Sequence, residues 1–322
     1  MVDKERGDRI ITKNLLLASM LTTSCKNRAK TKATGAVGLI KKFECRETGS
    51  TDVCRMNIRK ACVAGQFYPA DPESLHYFVK KTLLGETEKR QAKGLLVPHA
   101  GYPYSGETAG KTYDAVELTG KAVILCPNHT GMGAMFSVMK EGCWETPLGK
   151  VPVAEDLAGD LLQTCRYLKS DESAHQFEHA VEVQLPFLQC LKPDIRFVPI
   201  AIGGLDFLKL RALGEAMAEV IKQHGPVQII ASGDMNHYEN EKTTQEKDKA
   251  AIQAMLDLDE DRLVEEAGRR NISMCGLGPA YAMLVAVKQL GAREAFLVEH
   301  ATSARASGDF SRVVGYAGMI FY

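Results

Sequence analysis

The stretch VQIIASGDMNH, residues 227–237, decides the fold. Its first half, Val227–Ala231, is a short apolar run, which is typical of a strand buried on both faces of a sheet. Gly233, Asp234 and His237 follow directly. Loops at the carboxyl ends of strands form the ligand crevice of open α/β sheets. The stretch therefore predicts a buried strand that ends at a functional site.

Similar apolar runs recur along the chain and alternate with amphipathic stretches. The candidate strands are Gly94–Val97, Ala122–Cys126, Arg196–Ile202, Val227–Ala231, Ala295–Glu299 and Val313–Tyr322. The candidate helices are Pro72–Leu84, Ala154–Cys165, Glu178–Leu191, Leu208–Gln223, Thr243–Leu258, Glu260–Glu266 and Gly278–Leu290. This alternation predicts an α/β protein with helices on both faces of one sheet. No Gly/Ser linker divides residues 56–322, so they are interpreted as a single domain.

Composition excludes several functions. The chain of 322 residues carries 40 basic and 40 acidic side chains, so it lacks the positive charge typical of proteins that bind nucleic acids or anionic membranes. It contains no P-loop and no G-x-S-x-G elbow, which leaves nucleotide hydrolysis and α/β-hydrolase chemistry without support. Nine cysteines occur without a C-x-x-C pair, a pattern that favours a reducing, cytoplasmic location.

The first 55 residues differ from the rest. Asn14–Thr23 is a short apolar run that ends at Ser24-Cys25, and the residues after it are polar and basic. The run is too short to cross a bilayer, and acidic residues precede it. Residues 1–55 are therefore predicted to be a disordered extension or the product of a mis-called start codon. A signal or lipoprotein-like segment is the alternative.

Histidines follow two further candidate strands. His99 comes after Gly94–Val97, and His129 comes after Ala122–Cys126. Because parallel strands end at the same edge, His99 and His129 are expected to lie close to Asp234 and His237. A single histidine in such a loop is more often a hydrogen-bonded loop residue than a functional one, but the shared location of these residues makes the functional interpretation as strong as the alternative.

Two other groups are candidates for this site. Glu178 and Glu182 are four residues apart, which places both carboxylates on one face of a predicted helix beside His179. The alternative is a solvated first turn, where acidic side chains suit the helix dipole. Cys275 precedes another helix, a position that favours the thiolate and hence metal ligation or nucleophilicity. A buried structural cysteine is the alternative for that residue.

The chain resembles the MEMO-like family, represented in bacteria and archaea by protein B of the AmmeMemoRadiSam system. The runs that carry the resemblance are VAGQFYP (63–69), PHAGY (98–102) with YSG (104–106), PNH (127–129), EH (178–179) with Glu182 and LP (185–186), SGD (232–234) with His237, CG (275–276) with Pro279, and VVGYAG (313–318). They extend in order from about Met56 to the end of the chain.

The resemblance implies a three-layer α/β/α sandwich with a mixed central sheet, as in class III extradiol dioxygenases. It implies a non-haem metal held by His99, His129 and Cys275. Iron(II) is the expected ion, with copper or zinc as alternatives, since a thiolate suits all three. His179, Asp234 and His237 match polar residues around the pocket. A radical SAM enzyme and an AMMECR-type protein are the implied partners.

Three functions remain open at this stage. The first is metal-dependent redox chemistry on a phenolic or peptide substrate, with His179 or His237 as general acid/base, oriented by Asp234. The second is a non-catalytic module that binds a peptide or a partner protein, as the resemblance to eukaryotic MEMO proteins suggests. The third is zinc-assisted hydrolysis with Glu178 or Glu182 as the base.

Overall fold

The computed structural model describes residues 57–83 and 88–322, so the predictions for residues 1–55 lie outside the described part of the chain. The strands are β1 (Ile58–Arg59), β2 (Gly94–Val97), β3 (Lys121–Pro127), β4 (Phe136–Val138), β5 (Cys143–Thr146), β6 (Gly149–Pro152), β7 (Lys169–Ser170), β8 (Arg196–Ile202), β9 (Val227–Ser232), β10 (His237–Glu239), β11 (Ala295–Thr302) and β12 (Val313–Phe321). The α-helices are α1 (Pro72–Thr82), α2 (Tyr102–Asp114), α3 (Glu155–Thr164), α4 (Leu185–Leu191), α5 (Phe207–His224), α6 (Glu241–Leu256), α7 (Glu260–Arg270), α8 (Leu277–Gln289) and α9 (Ala304–Ser307).

The central sheet is mixed. Its strand order is β10-β12-β2-β9-β3-β8-β4-β7, and β11 also pairs with β12. The four middle strands β2, β9, β3 and β8 run parallel to one another. Strand β12 is antiparallel to β2, and β4 is antiparallel to β8. Strands β1, β5 and β6 form a separate small sheet. The parallel middle strands end at one edge, and that edge carries the site described below.

Helices cover both faces of the central sheet. A Cβ added at Gly94 would lie 2.7 Å from Val287 of α8, and one added at Gly318 would clash with Thr112 of α2. Gly94 pairs with Phe321, three residues along β12 from Gly318, so these two positions face opposite sides of the sheet. Helix α5 packs on α8, and α1 and α4 pack beside α2. The predicted three-layer α/β/α sandwich with a mixed sheet is confirmed.

All six predicted strands are confirmed, and so are six of the seven predicted helices, with shifts of a few residues at their ends. Helix α2 was not predicted, because Gly106 and Gly110 weaken its helical signal. Added Cβ atoms at these two positions would run into Phe78 and Thr82 of α1, so the glycines permit close packing of the two helices. Among the described residues, no helix is long and apolar enough to cross a membrane.

The predicted helix Glu178–Leu191 is wrong in its first half. The structure has an irregular segment up to Val181, a short 3₁₀ turn at Glu182–Gln184 and then α4, whose second residue is Pro186. Proline is favoured in the first turn of a helix, where its missing N–H costs nothing. The segment before it is held by bonds to distant residues and is not helical. Glu178 and Glu182 therefore do not share a helix face.

Candidate metal centre

The carboxyl ends of β2 and β3 deliver two histidines to one place, as predicted. The imidazole rings of His99 and His129 lie 5.1 Å apart between centroids and are nearly perpendicular. A third ring, that of His179, lies 4.8 Å from His129 and 5.4 Å from His99. It comes from the irregular segment before α4. Topology explains the first two positions, and the irregular segment supplies the third.

These three imidazoles can converge on one ion. Each of His99, His129 and His179 offers a ring nitrogen, and the three nitrogens lie within 4.8 Å of one another. Imidazole is a ligand for iron, copper and zinc alike. The sequence analysis predicted that His179 lies beside the metal and acts as a general acid/base. Its geometry makes it a candidate ligand.

Cys275 reaches the same cluster. Its Sγ lies 3.2 Å from His99 Nε2 and accepts the backbone N–H of Asp234 at 3.3 Å. An added Cβ on Gly233 would clash with the backbone of Gly276, so these two glycines let the Cys275 loop approach the end of β9. A nitrogen and a sulfur bound to the same zinc ion are separated by about 3.1–3.6 Å for ordinary bond lengths and angles. Cys275 is therefore placed where a fourth donor could lie.

The surroundings of Cys275 favour its thiolate form. Burial raises its pKa, but the charge of His99 and hydrogen bonds with His129 and His237 hold the pKa well below its ordinary value. His179 differs from its neighbours, because burial lowers its pKa to about 3. Metal ligands bind as thiolate and neutral imidazole, so both side chains are in the form that a metal requires.

Glu178 is the partner of His129. It is fully buried, and Oε1 lies 2.9 Å from His129 Nδ1 while Oε2 accepts the backbone N–H of His129 at 2.6 Å. Burial raises the pKa of Glu178, but the charge and hydrogen bond of His129 lower it further, so the carboxylate remains ionised. An ionised carboxylate can only accept, so it accepts a hydrogen bond from His129 Nδ1–H and leaves Nε2 as the coordinating atom. The alternative interpretation, a solvated first turn of a helix, does not hold for Glu178, because its side chain is fully buried.

We predict that Glu178→Gln lowers metal affinity by about 10–100-fold, the usual cost of losing the carboxylate partner of a ligating histidine. The amide keeps the shape of the side chain but can present an N–H to His129 Nδ1, which favours the other tautomer. Calorimetric titration of metal-free protein with zinc measures the change. The matched control is Glu145→Gln, a partly exposed carboxylate paired with Lys60. An unchanged affinity in Glu178→Gln would contradict this role.

Glu182 belongs to a different cluster. Its carboxylate is fully buried, forms an ion pair with Arg59, accepts the backbone N–H groups of Cys62 and Val63, and accepts the hydroxyl of Tyr68 at 2.5 Å. All of these groups lie on the segment that starts at β1. Glu182 is a structural anchor for that segment, and both of its oxygens are already engaged by these groups.

Asp234 and His237 lie near the cluster, but the prediction that Asp234 orients His237 is wrong. Asp234 Oδ1 accepts the backbone N–H of His99 at 2.8 Å, so it fixes the His99 loop. His237 Nδ1 is bonded to Ser273 O at 2.7 Å, and its other ring nitrogen faces Cys275. Burial lowers the pKa of His237, but the bond and charge of Cys275 raise it to about 9. Ser273, and not Asp234, orients the imidazole of His237.

His175 does not pair with His179, although the two are four residues apart. Its ring is fully buried against Trp144, and Nε2 lies 3.2 Å from Ser137 O. Burial lowers the pKa of His175 to about 4, so it is a neutral core residue.

The sequence reasoning missed two side chains that touch the cluster. Phe67 packs on His179 with ring centroids 4.6 Å apart, and Ser232 lies 3.2 Å from His99 Nδ1. Both lie in runs that carried the family resemblance, and that was the available signal. The sequence around Phe67 and Ser232 does not indicate that Phe67 contacts His179 or that Ser232 contacts His99.

A mixed α/β sandwich that gathers three imidazoles and a thiolate at the edge of its sheet defines a candidate metalloprotein. The model of the Memo-like protein family matches residues 59–320. The chain belongs to this family.

Similar proteins come from archaea and bacteria. A MEMO1 family protein of Methanopyrus kandleri is 41% identical over 278 residues, covering 82% of this chain and 98% of its own length. One from Aquifex aeolicus is 40% identical over 268 residues, covering 83% of this chain and 100% of its own. Among solved structures, an uncharacterized protein of Escherichia coli K12 matches 71% of this chain and 100% of its own with a TM-score of 0.48 at 14% identity.

Proposed function

We propose that this Memo-like protein binds a non-haem metal ion, iron(II) above copper or zinc, and uses it for dioxygenase-like redox chemistry. The observation that carries the proposal is the convergence of ring nitrogens from His99, His129 and His179 within 4.8 Å. Three protein donors on one side of an ion leave other coordination positions for substrate and oxygen. The donor chemistry fits iron(II), since imidazole and thiolate both bind it.

The surrounding residues have separable tasks in this proposal. The bound ion would supply redox chemistry and polarise a substrate oxygen. Phe67 supplies an apolar contact to His179, with the two ring centroids 4.6 Å apart. In the metal-free protein burial lowers the pKa of His237, but Cys275 raises it to about 9, so His237 holds a proton at neutral pH and is the candidate general acid toward a phenolic or peptide substrate.

The hydrolase alternative has less support. Glu178 and Glu182 both already accept several hydrogen bonds, so neither offers an uncommitted carboxylate to activate water. The binding-module alternative draws on the exposed ring of Phe177, two residues before His179. On the resemblance alone, a radical SAM enzyme and an AMMECR-type protein are proposed as partners, which co-purification from native cells would test.

Metal analysis separates these functions. Protein purified without oxygen is measured for iron, copper and zinc, and iron(II)-loaded protein is then tested for oxygen uptake with catechol as the phenolic probe. One iron per chain with catechol-dependent uptake, absent in His99→Ala, supports the redox proposal. Zinc without oxygen uptake would favour hydrolysis. Absence of any bound metal would favour the binding module and end the redox proposal.

We also predict that Cys275 reacts with iodoacetamide much faster than the other described thiols. Contacts with imidazoles and with the Asp234 N–H favour its thiolate, which is the nucleophilic form. Burial raises the pKa of Cys126 and Cys190, so these thiols should react slowly.

Peptide mapping of metal-free protein after a short exposure to iodoacetamide shows which thiols are labelled first. Because the pKa of Cys275 is lowered, its labelling should persist at mildly acidic pH, where ordinary thiols are protonated. Added iron(II) should protect Cys275. Slow labelling of Cys275 that iron(II) does not alter would show that it is neither an exposed thiolate nor a ligand.

A further inference from the structure

A buried polar network lies behind His99, on the side of the ring that faces away from the metal cluster. His99 Nδ1 is 3.2 Å from Ser232 Oγ, and the same hydroxyl is bonded to Ala180 O at 2.6 Å and to Gln184 Nε2 at 2.8 Å. Gln184 Nε2 also donates to Pro98 O at 3.0 Å. Ser232 and Gln184 are completely buried, so water does not compete for these bonds.

Each bond in this network has only one allowed direction. A backbone carbonyl can only accept, so the bond to Pro98 O fixes Gln184 Nε2 as the amide donor. Tyr113 OH then donates to Gln184 Oε1 at 2.9 Å. The carbonyl of Ala180 likewise can only accept, so the hydroxyl of Ser232 donates its single O–H to it. Ser232 Oγ is left with two lone pairs, and Gln184 occupies one of them.

The remaining lone pair of Ser232 Oγ must therefore accept a hydrogen bond that His99 Nδ1–H donates. We infer that Ser232 is a positioning residue, which holds the proton of His99 on Nδ1 and leaves Nε2 bare for the metal. Without this acceptor, the alternative tautomer would place the proton on Nε2, where Cys275 Sγ lies 3.2 Å away as a competing acceptor. That tautomer cannot coordinate through Nε2, because its lone pair is occupied.

The peptide units around Ala180 connect this arrangement to the other two histidines. Its carbonyl accepts the Ser232 hydroxyl, and its N–H donates to Glu178 Oε1 at 2.9 Å. Glu178 in turn holds His129, and His179 directly precedes Ala180. One short stretch of backbone thus sets the partners of His99 and His129 and carries the third imidazole. This inference rests on the proposed metal site.

The tautomer itself gives the most direct test. Two-bond hydrogen–nitrogen NMR correlations of metal-free protein with isotope-labelled histidine report which nitrogen of His99 carries the proton once the ring is neutral. The spectra are recorded at alkaline pH, because burial lowers the pKa of His99 but Cys275 and Asp234 raise it above its ordinary value, and a charged ring carries protons on both nitrogens. We expect Nδ1–H in the unmodified protein and a shift toward Nε2–H in Ser232→Ala. The control is Ser105→Ala, which removes another buried hydroxyl beside the same loop, one that bonds only Ala100 O. It should leave the His99 tautomer unchanged.

Iron(II) affinity, measured without oxygen, gives the second readout. Ser232→Ala should weaken binding by about 10–100-fold, the cost of losing the partner of a ligand. Ser232→Thr, which keeps the hydroxyl, should restore most of it. If packing alone mattered, Gln184→Met would weaken binding as much as Ser232→Ala while the tautomer stayed the same in both variants.

The outcomes separate the two ideas. If His99 carries its proton on Nε2 in the unmodified protein, or if Ser232→Ala changes neither the tautomer nor the affinity, the inference is wrong. If the unmodified protein binds no iron(II) but the tautomer responds to Ser232→Ala as expected, the proposed function fails and the role of Ser232 stands.

Discussion

Replacing His99, His129 or His179 with alanine should abolish tight binding of iron(II), each with a loss of more than about 100-fold, since even the loss of a ligand's hydrogen-bond partner costs about 10–100-fold. Each of the three imidazoles supplies one of the ring nitrogens that lie within 4.8 Å of one another. All three residues lie in segments outside the α-helices and strands, so truncation should leave the sandwich folded. Anaerobic titration with iron(II) measures the affinity, and thermal unfolding checks the fold.

His179 and Cys275 compete for the role of third ligand, and a parallel pair of variants decides between them. The cluster geometry predicts that His179→Ala loses more affinity than Cys275→Ala. Cys275→Asp, which introduces a carboxylate donor at this position, should bind iron(II) more tightly than Cys275→Ala. The control is His76→Ala, which removes an exposed imidazole from α1. Retained affinity in His179→Ala together with loss in Cys275→Ala would return the third position to the thiolate.

Truncating Glu182 should destabilise the protein by about 3–5 kcal/mol, the usual cost of leaving one partner of a buried ion pair without the other. Arg59 and Glu182 are both almost completely buried. Arg59 also donates to His175 O at 3.0 Å and to Glu178 O at 2.7 Å, and it lies over the ring of Trp144 at 4.2 Å. Glu182→Ala would leave the guanidinium charge of Arg59 buried without its carboxylate partner.

Chemical denaturation of metal-free protein measures this loss. The matched control is Glu145→Ala, which breaks the exposed pair with Lys60 and should cost no more than about 1 kcal/mol. Arg59→Met combined with Glu182→Ala should lose less than the sum of the single variants, because the two side chains interact directly. Equal, small losses in Glu182→Ala and Glu145→Ala would show that the buried pair does not stabilise the fold.

The same carboxylate makes stability depend on pH. Burial raises the pKa of Glu182, but the charge of Arg59 and the hydrogen bonds of Cys62 and Tyr68 hold it below its ordinary value of 4.5. The unfolded chain therefore takes up this proton at a higher pH than the native protein. The stabilisation is complete above pH 4.5 and is lost as pH falls through the lowered native pKa. Glu182→Ala should remove this part of the acid dependence.

Some features of the site follow from the sequence alone. His99 and His129 each follow an apolar run too uniform for a surface strand, and buried parallel strands end at one edge of their sheet. The meeting of these two histidines was therefore predictable from local pattern and topology. Cys275 was placed in the same site by its position before a helix and by the family resemblance. The alternation of apolar runs with amphipathic stretches also predicted a sheet with helices on both faces.

The tertiary structure alone decided the third histidine and the partners of all three. The sequence pattern predicted that Glu178, His179 and Ala180 begin a helix, but their conformation is set by bonds to residues far along the chain. Glu178 reaches His129 at a separation of 49 residues, and Ala180 accepts from Ser232 at a separation of 52. The spacing of the two glutamates suggested one helix face, yet one carboxylate orients a candidate ligand and the other pairs with Arg59. Local sequence encodes the period of a helix or strand, whereas the conformation of an irregular buried segment depends on which distant polar groups must be paired once water is excluded.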